Sequence, residues 1–435
     1  MIDPQEPPEP GRVRHGAVEP TARTTGRQIV VFADAGEGAE APVDWGRAGV
    51  HRIADSRDFA DGGVPPETLR EAGATVFAAL GIAVVAAGPD QVGALRAASA
   101  RPVLSVSPEL VHRVLGNDVG GYARGYRDGV SDLAGRLLPP AAPGGGVPTA
   151  RFADTPYATW GVQAVRADAS SRSGRGVRVA VLDTGFDLTH PDFAGRAVTA
   201  RSFVTGEDAQ DGHGHGTHCI GTACGPRTPP DGQRYGIAHE AEVYAGKVLG
   251  TDGSGTDAGI LAGMNWAVTS GCPVISMSLG ADVVEAHPPY SAAGRRALQR
   301  GSLVIAAAGN NADRPAGNDG FVGAPANSVE IMAVGAVDQG CETAYFSARS
   351  LPARGGQVDV AGPGWEVRSA WPMPARYNTI SGTSMATPHV AGVAALWAEA
   401  TGLRGLELWA TLCQESERLL QPSADVGSGL VVAPR

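Results

Sequence analysis

The sequence predicts an α/β fold, a doubly wound and mostly parallel sheet with helices on both faces, preceded by a small α+β module. Three observations support this prediction. The chain has 435 residues, more than the ~100–200 residues of an ordinary domain. Beyond residue 151, short and almost wholly apolar runs alternate with helical or loop stretches, as expected for strands that are covered on both faces. A stretch rich in proline and glycine separates that region from the shorter elements before it.

The N-terminal part of the chain is predicted to form a tail, a module and a linker. Residues 1–26 are polar and Pro-rich, and we expect a disordered tail there. Residues 27–112 contain, in order, a strand, a helix, an apolar run, a second helix and a closing strand, with the sequences RQIVVF, PETLREA, TVFAALGIAVVAA, DQVGALRAAS and PVLSVSPE. Residues 113–150 include LLPPAAPGGGVP, in which prolines and glycines stop helices and strands alike. We therefore predict a linker there and a second domain over 151–435.

The composition argues against nucleic acid and against a membrane as partners. The net charge is −10 and hydrophobic residues make up 43% of the chain, but no apolar run approaches the ~18 residues of a transmembrane helix. The N-terminus, MIDPQEPPEPGRVRHGA, lacks the charged head and apolar stretch of a secretory signal. We therefore expect a cytoplasmic protein if the chain is complete and a secreted one if a leader has been removed. Five cysteines, none in a C-x-x-C pair, leave the disulfide pairing undecided.

The predicted strands of the second domain bring polar residues to one edge of the sheet. The strand candidates are GVRVAVLD, AEVYAGKVL, CPVISMSLG, LVIAAAGN and EIMAVGAV. Asp183, Ser278 and Asn310 come at the ends of three of them, each close to a glycine. Because ligands of open α/β sheets bind at the carboxyl ends of the strands, we expect these side chains to share one cleft.

Three stretches of the second domain supply the parts of an acyl-transfer site. VAVLDTGFD ends a strand on Asp183, HGTHCIGT places a histidine in a Gly-rich entry to a helix, and SGTSMATPHVAGVAALW begins an apolar helix with a serine. A serine hydroxyl is a poor nucleophile until a base takes its proton, and a carboxylate orients that base. The side-chain amide of Asn310, in AAAGNN, is suited to stabilise the resulting oxyanion, together with the Ser384 N–H at a helix N-terminus.

These motifs resemble those of the subtilisin-like serine proteases, the subtilases, in which the three residues occur in the order Asp, His, Ser. The resemblance covers residues 155–435 nearly continuously, and HGTHC is similar to the proteinase K branch of the family. It implies a triad and an oxyanion asparagine, which are Asp183, His215, Ser384 and Asn310. It also implies that the chemistry requires no cofactor.

Three histidines, His213, His215 and His218, fall within six positions, a density that also occurs in metal sites. The resemblance makes His215 the base, His218 a packed structural histidine and His213 a loop residue. A metal cluster stays the alternative, although no acidic or cysteine ligand has a matching partner elsewhere in the sequence. The pattern G-T-S-M-A-T-P selects Ser384 as the nucleophile over Ser381, which we interpret as a turn residue.

The sequence leaves the metal content open. Asp187 and Asp192, in FDLTHPDF, offer carboxylates of the kind that bind calcium, and a solvated turn is the alternative. Subtilases with a strong calcium site usually carry an extra loop in the helix after the base. This chain has a different, Pro-rich insertion there, so structural calcium is compatible with the sequence without being required. Cys219 is similar to the free cysteine of the proteinase K branch, and we interpret it as a small buried hydrophobe.

The segment SMSLG, residues 276–280, matches the edge of the family's substrate groove, where an extended peptide adds as a strand. The resemblance therefore implies a polypeptide substrate. The residues expected at the first side-chain pocket are Ser278, Leu279, Gly280, Ala308, Gly309 and, near its floor, Asn311. They carry no charge, which favours a large apolar or neutral side chain. Ala281, where many relatives have a glycine, is expected to narrow the rim.

Residues 27–112 resemble the family's inhibitory prosegment in the order of their elements and in the stretch VLSVSPEL. The resemblance implies a zymogen whose own prosegment binds in cis and which is cut somewhere between about 113 and 155. An unrelated α+β adaptor is the alternative.

The sequence thus favours a serine endopeptidase that works through an acyl-enzyme. A dedicated maturation protease for a peptide precursor would use the same residues. So would a ligase or cyclase in which an amine captures the acyl-enzyme. A non-catalytic peptide-binding module is the alternative from another class, since a fold does not by itself imply a function.

Overall fold

A computed structural model of the chain describes residues 23–33, 43–99, 102–115, 151–351 and 356–435. Most of the predicted tail and most of the predicted linker lie outside these residues, so neither prediction is tested there. Within the described residues, no helix combines the length and the apolar composition that crossing a bilayer requires.

The N-terminal module is a twisted sheet with two helices. Its elements are the strands β1 (Thr24–Phe32), β2 (Ile53–Asp55), β3 (Ala74–Phe77), β4 (Ile82–Val85) and β5 (Val103–Val114) and the helices α1 (Pro66–Glu71) and α2 (Pro89–Ala98). The order across the sheet is β5-β1-β4-β3-β2, and the pairs are antiparallel except for β2 with β3. The predicted apolar run is the β3–β4 hairpin. Short 3-10 turns follow β2, at Ser56–Asp58 and Ala60–Gly62.

The first and last strands of the module extend beyond residues 27 and 112, the limits predicted for it. Strand β1 begins at Thr24, and β5 continues to Val114. Both strands extend because their backbones find partners, which polarity along the sequence does not reveal.

The second domain holds the remaining elements. Its strands are β6 (Arg178–Asp183), β7 (Val198–Ser202), β8 (Glu242–Lys247), β9 (Ser254–Thr256), β10 (Val274–Met277), β11 (Leu279–Gly280), β12 (Leu303–Ala307), β13 (Met332–Val337), β14 (Val360–Pro363), β15 (Val367–Ala370) and β16 (Tyr377–Ile380). Its helices are α3 (Trp160–Ala164), α4 (His215–Cys224), α5 (Asp257–Thr269), α6 (Pro288–Gln299), α7 (Thr383–Thr401), α8 (Gly405–Glu415) and α9 (Ser423–Val426), with 3-10 turns at Pro191–Phe193 and Arg314–Ala316.

A parallel sheet forms the centre of the second domain. Its strand order is β14-β13-β12-β10-β6-β8-β7, and all neighbouring strands run parallel. Strands β15 and β16 form a separate antiparallel hairpin. The order reverses at β10 and β6, so the crossovers place helices on both faces. The predicted doubly wound α/β class is confirmed.

Two hydrophobic cores lie on the two faces of this sheet. Alternate residues of β6 point to opposite sides, so that Val179 and Val181 join the core under α4 and α7 while Ala180 and Leu182 join the core under α5 and α6. Both faces are apolar because both are covered. This explains why the strand sequences are continuous apolar runs rather than alternating ones.

The N-terminal module packs its sheet against α5 and α6 of the second domain. From β1, Ile29 and Val31 enter the same core as Tyr290 of α6. The intervening Val30 and Phe32 face the other side, in a smaller core that belongs to the module. The module therefore shares one of its two apolar faces with the second domain.

The end of β5 leaves the module and adds to the second domain. Residues Val111–Arg113 pair with Ser254–Thr256 of β9 on one side, and Arg113 and Val114 pair with Gly280 and Leu279 of β11 on the other, both antiparallel. Strand β5 thus fills the groove between β9 and β11. It brings Leu115, the residue after the strand, to the carboxyl end of the central sheet.

Candidate active site

The three residues predicted to form the triad come together at the carboxyl end of the central sheet. Asp183 is the last residue of β6, His215 is the first residue of α4, and Ser384 lies in the first turn of α7. One strand end and two helix starts therefore meet at one point, as the order of elements in the sequence predicts.

Asp183 and His215 form a buried hydrogen-bonded pair. His215 Nδ1 lies 2.8 Å from Asp183 Oδ1. His215 is 4% exposed and Asp183 is 1% exposed. Because an ionised carboxylate only accepts hydrogen bonds, His215 must carry its proton on Nδ1, which leaves Nε2 free to take another. Burial alone would lower the pKa of His215, but the charge of Asp183 raises it well above its usual range. The pair has the arrangement of a general base and its orienting carboxylate.

Asp211 anchors the start of the helix that carries His215. Its carboxylate accepts hydrogen bonds from Gly214 N, Thr217 N and Thr217 Oγ1 at 2.7–2.8 Å. It also accepts one from Thr184 Oγ1 at 2.9 Å. The first N–H groups of a helix have no partner within the helix, and a carboxylate satisfies them. Asp211 was not predicted from the sequence, although an acidic residue shortly before a helix start is a recognisable capping signal.

Lys247 holds the backbone next to Asp183 and was also not predicted from the sequence. It is the only lysine of the chain, it is fully buried, and its Nζ donates to Thr184 O at 2.6 Å and lies 3.1 Å from Glu207 Oε2. Thr184 follows Asp183, so this contact holds the end of β6 in place.

The nucleophile candidate Ser384 faces the end of β5. Its Oγ lies 3.2 Å from Leu115 O and 3.3 Å from Ser278 O, so that its single proton can be donated to either carbonyl, while His215 Nε2 is buried without a hydrogen-bond partner. The serine hydroxyl is therefore turned toward a peptide carbonyl rather than toward its base. Ser381, by contrast, is exposed, and its Oγ accepts a hydrogen bond from Glu366 N at 2.8 Å, as expected for a turn residue.

Asn310 completes the site at the same carbonyl. Its Nδ2 donates to Leu115 O at 2.9 Å, the geometry of a donor to a developing oxyanion. Its Oδ1 accepts from both Thr383 N and Thr383 Oγ1 at 2.9 Å. Thr383 thus fixes which end of the amide points at the carbonyl. This positioning role was not predicted, because it depends on a contact between the loop after β12 and the start of α7.

A glycine keeps the space around this carbonyl open. A Cβ added to Gly382 would lie 3.1 Å from Asn310 Nδ2, 3.5 Å from Ser384 N and 3.6 Å from Leu115 O. These three groups therefore border the same small space, and a side chain at position 382 would intrude on it. The predicted second donor, Ser384 N, lies at the edge of that space.

The groove accepts the strand through its backbone. In addition to the ladders with β9 and β11, Val114 N donates to Gly253 O at 2.9 Å. Main-chain hydrogen bonds of this kind bind an extended peptide whatever its sequence, and pockets then select among side chains. Of the predicted edge segment at 276–280, Leu279 and Gly280 pair with β5, while residues 276 and 277 belong to β10 of the central sheet.

One residue predicted for the first pocket, Gly280, lies against the side chain of Leu115. A Cβ on Gly280 would lie 3.2 Å from both methyl carbons of Leu115, so the glycine makes room for that side chain. Ser278, Leu279 and Ala308 are fully buried, and their place in the pocket stays a prediction. A leucine at this position matches the apolar preference expected from the sequence.

Asn311, predicted near the pocket floor, has an acidic neighbour that the sequence analysis did not identify. Its Nδ2 donates to Asp282 Oδ1 at 2.9 Å and to Phe321 O at 3.0 Å. The amide is therefore held by the protein rather than free to turn toward a substrate.

The other two histidines of the motif do not join the base in a metal cluster. His218 is fully buried, its Nε2 lies 2.9 Å from Val367 O, and burial lowers its pKa to about 3. Burial also lowers the pKa of His213. In the described part of the chain, Asp183, His215 and Cys219 are the group of side chains that come close enough to hold a metal ion, and they coincide with the triad.

The two calcium candidates face hydrogen-bond donors. Asp187 accepts from Thr189 Oγ1 at 2.7 Å and from Met373 N at 3.0 Å. Asp192 accepts from Tyr235 OH at 2.6 Å, and from an arginine and a second tyrosine. A calcium ion needs six to eight oxygen ligands, whereas these carboxylates are surrounded by N–H and O–H groups. As placed, they do not fit a calcium site, and structural calcium stays a prediction.

All five cysteines are free thiols. Cys219 is fully buried beneath the triad, with its Sγ 3.8 Å from His215 Nδ1 and 3.6 Å from Ser384 O. Burial raises the pKa of this thiol to about 11. A protonated thiol is a weak nucleophile, which favours the interpretation of Cys219 as a small packing residue.

Comparison with known proteins agrees with this geometry. The model of the subtilase family matches residues 174–429. M-protease of Shouchella clausii (strain KSM-K16) is 43% identical over 241 residues, which cover 54% of this chain and 58% of that protein. Subtilisin Savinase of Lederbergia lenta is 43% identical over 241 residues, which cover 54% of this chain and 82% of that protein.

A cuticle-degrading protease of Metarhizium anisopliae is 40% identical over 253 residues, which cover 56% of this chain and 58% of that protein. The chain thus spans somewhat more than half the length of two of these relatives. The family model spans the stretch that contains the triad and Asn310. On this match, and on the arrangement of these residues, the chain belongs to the subtilase family of serine endopeptidases.

Proposed function

We propose that this chain is an active serine endopeptidase that cuts peptide bonds through an acyl-enzyme. In this proposal Ser384 is the nucleophile, His215 the general base, Asp183 its orienting carboxylate and Asn310 the oxyanion donor. The chemistry needs side chains and water alone. A groove that binds a strand of the chain's own backbone supports a polypeptide as substrate.

We propose further that the N-terminal module is an inhibitory prosegment, and that the first bond cut joins Leu115 to Gly116. One observation carries this: Leu115 O accepts hydrogen bonds from Asn310 Nδ2 at 2.9 Å and from Ser384 Oγ at 3.2 Å. A carbonyl that touches both the nucleophile's oxygen and the oxyanion donor supports this position for the bond that is cut. The proposal places the cut at one bond within the range expected from the sequence.

The first half-reaction transfers the acyl group to the enzyme. Ser384 Oγ attacks the carbonyl carbon of Leu115, and its proton passes to His215 Nε2. The carbonyl oxygen becomes negative and is stabilised by Asn310 Nδ2. His215 then gives the proton to the nitrogen of Gly116, the C–N bond breaks, and an ester of Leu115 with Ser384 remains.

The second half-reaction releases the acyl group. His215 takes a proton from water, the hydroxide attacks the ester carbon, and the proton returns to Ser384 Oγ as the C–O bond breaks. The products are a carboxylate on Leu115 and the free serine. Asp183 stays ionised throughout and stabilises the imidazolium that forms in each half-reaction.

After the cut, the module is expected to stay in the groove as an inhibitor. Glu109 is fully buried and accepts from Ala258 N at 3.0 Å, in the first turn of α5, and from Arg27 Nε at 2.6 Å. The guanidinium of Arg296 donates to two carbonyls of the module, Leu80 O and Phe32 O. These contacts, with the shared core and the β5 ladder, hold the strand in place independently of the peptide bond that is cut.

The activity is tested with matched serine variants. The parent protein, Ser384→Ala and Ser381→Ala, each freed of its N-terminal segment by the same treatment, are incubated with acetyl-Arg-Val-Leu p-nitroanilide, whose three residues copy the strand end. Loss of the nucleophile lowers kcat by roughly 10⁶-fold in subtilisin, and we expect a loss of that order for Ser384→Ala. Ser381→Ala, a turn variant three residues away, should retain activity. Equal rates for Ser384→Ala and the parent would disprove the proposal.

Product analysis separates the alternatives that share this site. Hydrolysis leaves a free carboxylate on the acyl fragment, whereas capture by an added peptide amine gives a longer peptide with an amide bond. Mass spectra with and without an excess of a peptide amine therefore distinguish an endopeptidase from a ligase. A binding module would hold the peptide and release it unchanged.

A further inference from the structure

The strand that fills the groove presents its side chains alternately to the second domain and to solvent. His112 is fully buried, Arg113 is exposed, and Val114 is buried. This alternation is the period of two of any extended chain. If a substrate binds as β5 does, the enzyme contacts the side chains at the positions of His112 and Val114, as well as that of Leu115. The side chain at the position of Arg113 would be exposed to solvent.

His112 lies against a buried carboxylate of the second domain. Its Nε2 is 2.7 Å from Asp257 Oδ1, and both side chains are 0% exposed. Two neighbours on or beside α6 hold the same carboxylate: Tyr290 OH donates to Oδ1 at 2.7 Å, and His287 Nε2 lies 3.2 Å from Oδ2. His112 therefore occupies a pocket whose polar walls are Asp257, His287 and Tyr290.

The carboxylate of Asp257 depends on β5 for part of its hydrogen bonding. Besides His112, it accepts from Leu110 N at 2.6 Å. Burial alone would raise the pKa of Asp257, but the charge and hydrogen bond of His112 and the hydrogen bond of His287 lower it well below its usual range. A buried carboxylate is costly unless it is paired or hydrogen-bonded. When β5 leaves, Asp257 loses partners that a bound substrate has to replace.

We infer that Asp257, held in place by His287 and Tyr290, selects a basic side chain at the fourth position before the bond that is cut. His112 occupies this position when the bond that is cut follows Leu115. The inference rests on the proposed function. Lysine, arginine and protonated histidine bring the N–H donors and the positive charge that the carboxylate loses. An apolar side chain would cover it without replacing a partner. Glutamate would place a second anion in the same pocket.

The test is a series of peptides cut by the protein after its N-terminal segment has been removed. They share the form acetyl-X-Arg-Val-Leu p-nitroanilide, with X as Lys, His, Leu or Glu. A hydrogen bond to a charged group corresponds to roughly 10- to 100-fold in kcat/KM, and we expect at least the lower value for Lys over Leu. Glu should be the poorest. Asp257→Asn, which keeps the shape of the side chain, should bring the Lys and Leu peptides to nearly equal kcat/KM.

A control series exchanges Lys for Glu at the position of Arg113. That side chain is exposed, and an exposed charge pair is worth at most about 1 kcal/mol, or about fivefold. The exchange should therefore change kcat/KM much less there than at the position of His112.

The outcomes separate the two proposals. If the parent protein cuts none of the peptides, the proposed function fails. If it cuts all of them with similar kcat/KM, the endopeptidase stands and the inference about Asp257 is overturned. The inference is also overturned if Asp257→Asn keeps the full preference for Lys over Leu. Because the parent protein alone gives the Lys to Leu ratio, the test does not depend on whether the variant folds.

Discussion

The side-chain amide of Asn310 donates a hydrogen bond of 2.9 Å to the main-chain carbonyl of Leu115. Asn310 follows a strand of the central sheet, and Leu115 follows the strand that the N-terminal module inserts into the groove. The bond therefore joins the two parts of the chain at the point where the chemistry is expected. Its donor, Asn310 Nδ2, can be removed by substitution.

Asn310→Ala removes the side-chain donor to the carbonyl. We expect kcat to fall about 10²- to 10³-fold, the loss known for the oxyanion asparagine of subtilisin, with little change in KM. The donor acts on charge that develops in the transition state, which explains why kcat is the affected parameter. Steady-state kinetics with acetyl-Arg-Val-Leu p-nitroanilide measure both kcat and KM. A higher KM with unchanged kcat would show that Asn310 only binds substrate.

Thr383→Val tests whether Asn310 needs its positioning partner. Thr383 Oγ1 donates to Asn310 Oδ1 at 2.9 Å and accepts from Gly309 N at 3.2 Å. Valine keeps the shape but loses both bonds, and we expect kcat to fall about tenfold, the equivalent of one hydrogen bond. Thr383→Ser, which keeps the hydroxyl, should retain most of the activity. Equal kcat in the two variants would rule out the positioning role.

The pH dependence of the reaction reports on His215. The base acts only when it is neutral, so kcat/KM rises as the pH increases through its pKa. The Asp183 carboxylate raises that pKa well above its usual range, so the rise in kcat/KM should lie above the ordinary imidazole value of about 6.5. Asp183→Asn should move the rise to lower pH and reduce the rate by about 10⁴-fold, as for other triad aspartates. A rise at the same pH in both proteins would contradict the assignment.

Asp359 gives a prediction for stability. Burial raises its pKa to about 7, and its Oδ2 accepts from Ala333 N at 2.8 Å. Because the folded pKa lies above the unfolded one, the contribution of Asp359 to stability is complete below about pH 4 and is lost as the pH rises through about 7. Asp359→Asn cannot ionise, so it should raise the Tm at pH 8 and leave it nearly unchanged at pH 4.

This measurement is made by thermal unfolding in the Ser384→Ala background, so that self-digestion does not interfere. The same gain in Tm at both pH values would show that the substitution acts through packing rather than through ionisation.

The fold class follows from the sequence because both faces of the central sheet are covered. Apolar runs such as those of β6 and β12 can be recognised in the sequence, because a strand that is buried on both faces has apolar residues at nearly every position. Strands β7 and β14 were not predicted. They lie at the two edges of the sheet. VTARS of β7 is largely polar and partly exposed, whereas VAGP of β14 is buried but short and includes a glycine and a proline, which are rare in strands. Edge strands are defined by their pairing partners, which a single sequence does not show.

The triad follows from the sequence because each member lies in a motif with its own local geometry. Asp211 has a local signal, since it shortly precedes a helix start. The roles of Thr383 and Asp257 have no such local signal. Each acts through one or more contacts with residues far away in the sequence, as when Asp257 meets His112 across 145 positions. Such roles arise from tertiary packing, so only the folded chain reveals them. The same reason explains why the proposed cut follows Leu115, whereas the sequence alone indicates a range.

The central claim is that Leu115 lies in the active site as the residue to be cut. The most direct test is the intact mass and N-terminal sequence of the full-length protein over time, beside Ser384→Ala. We predict that the parent alone is cut, and that its new N-terminus is Gly116. A first cut at another bond, or the same cut in Ser384→Ala, would contradict the claim.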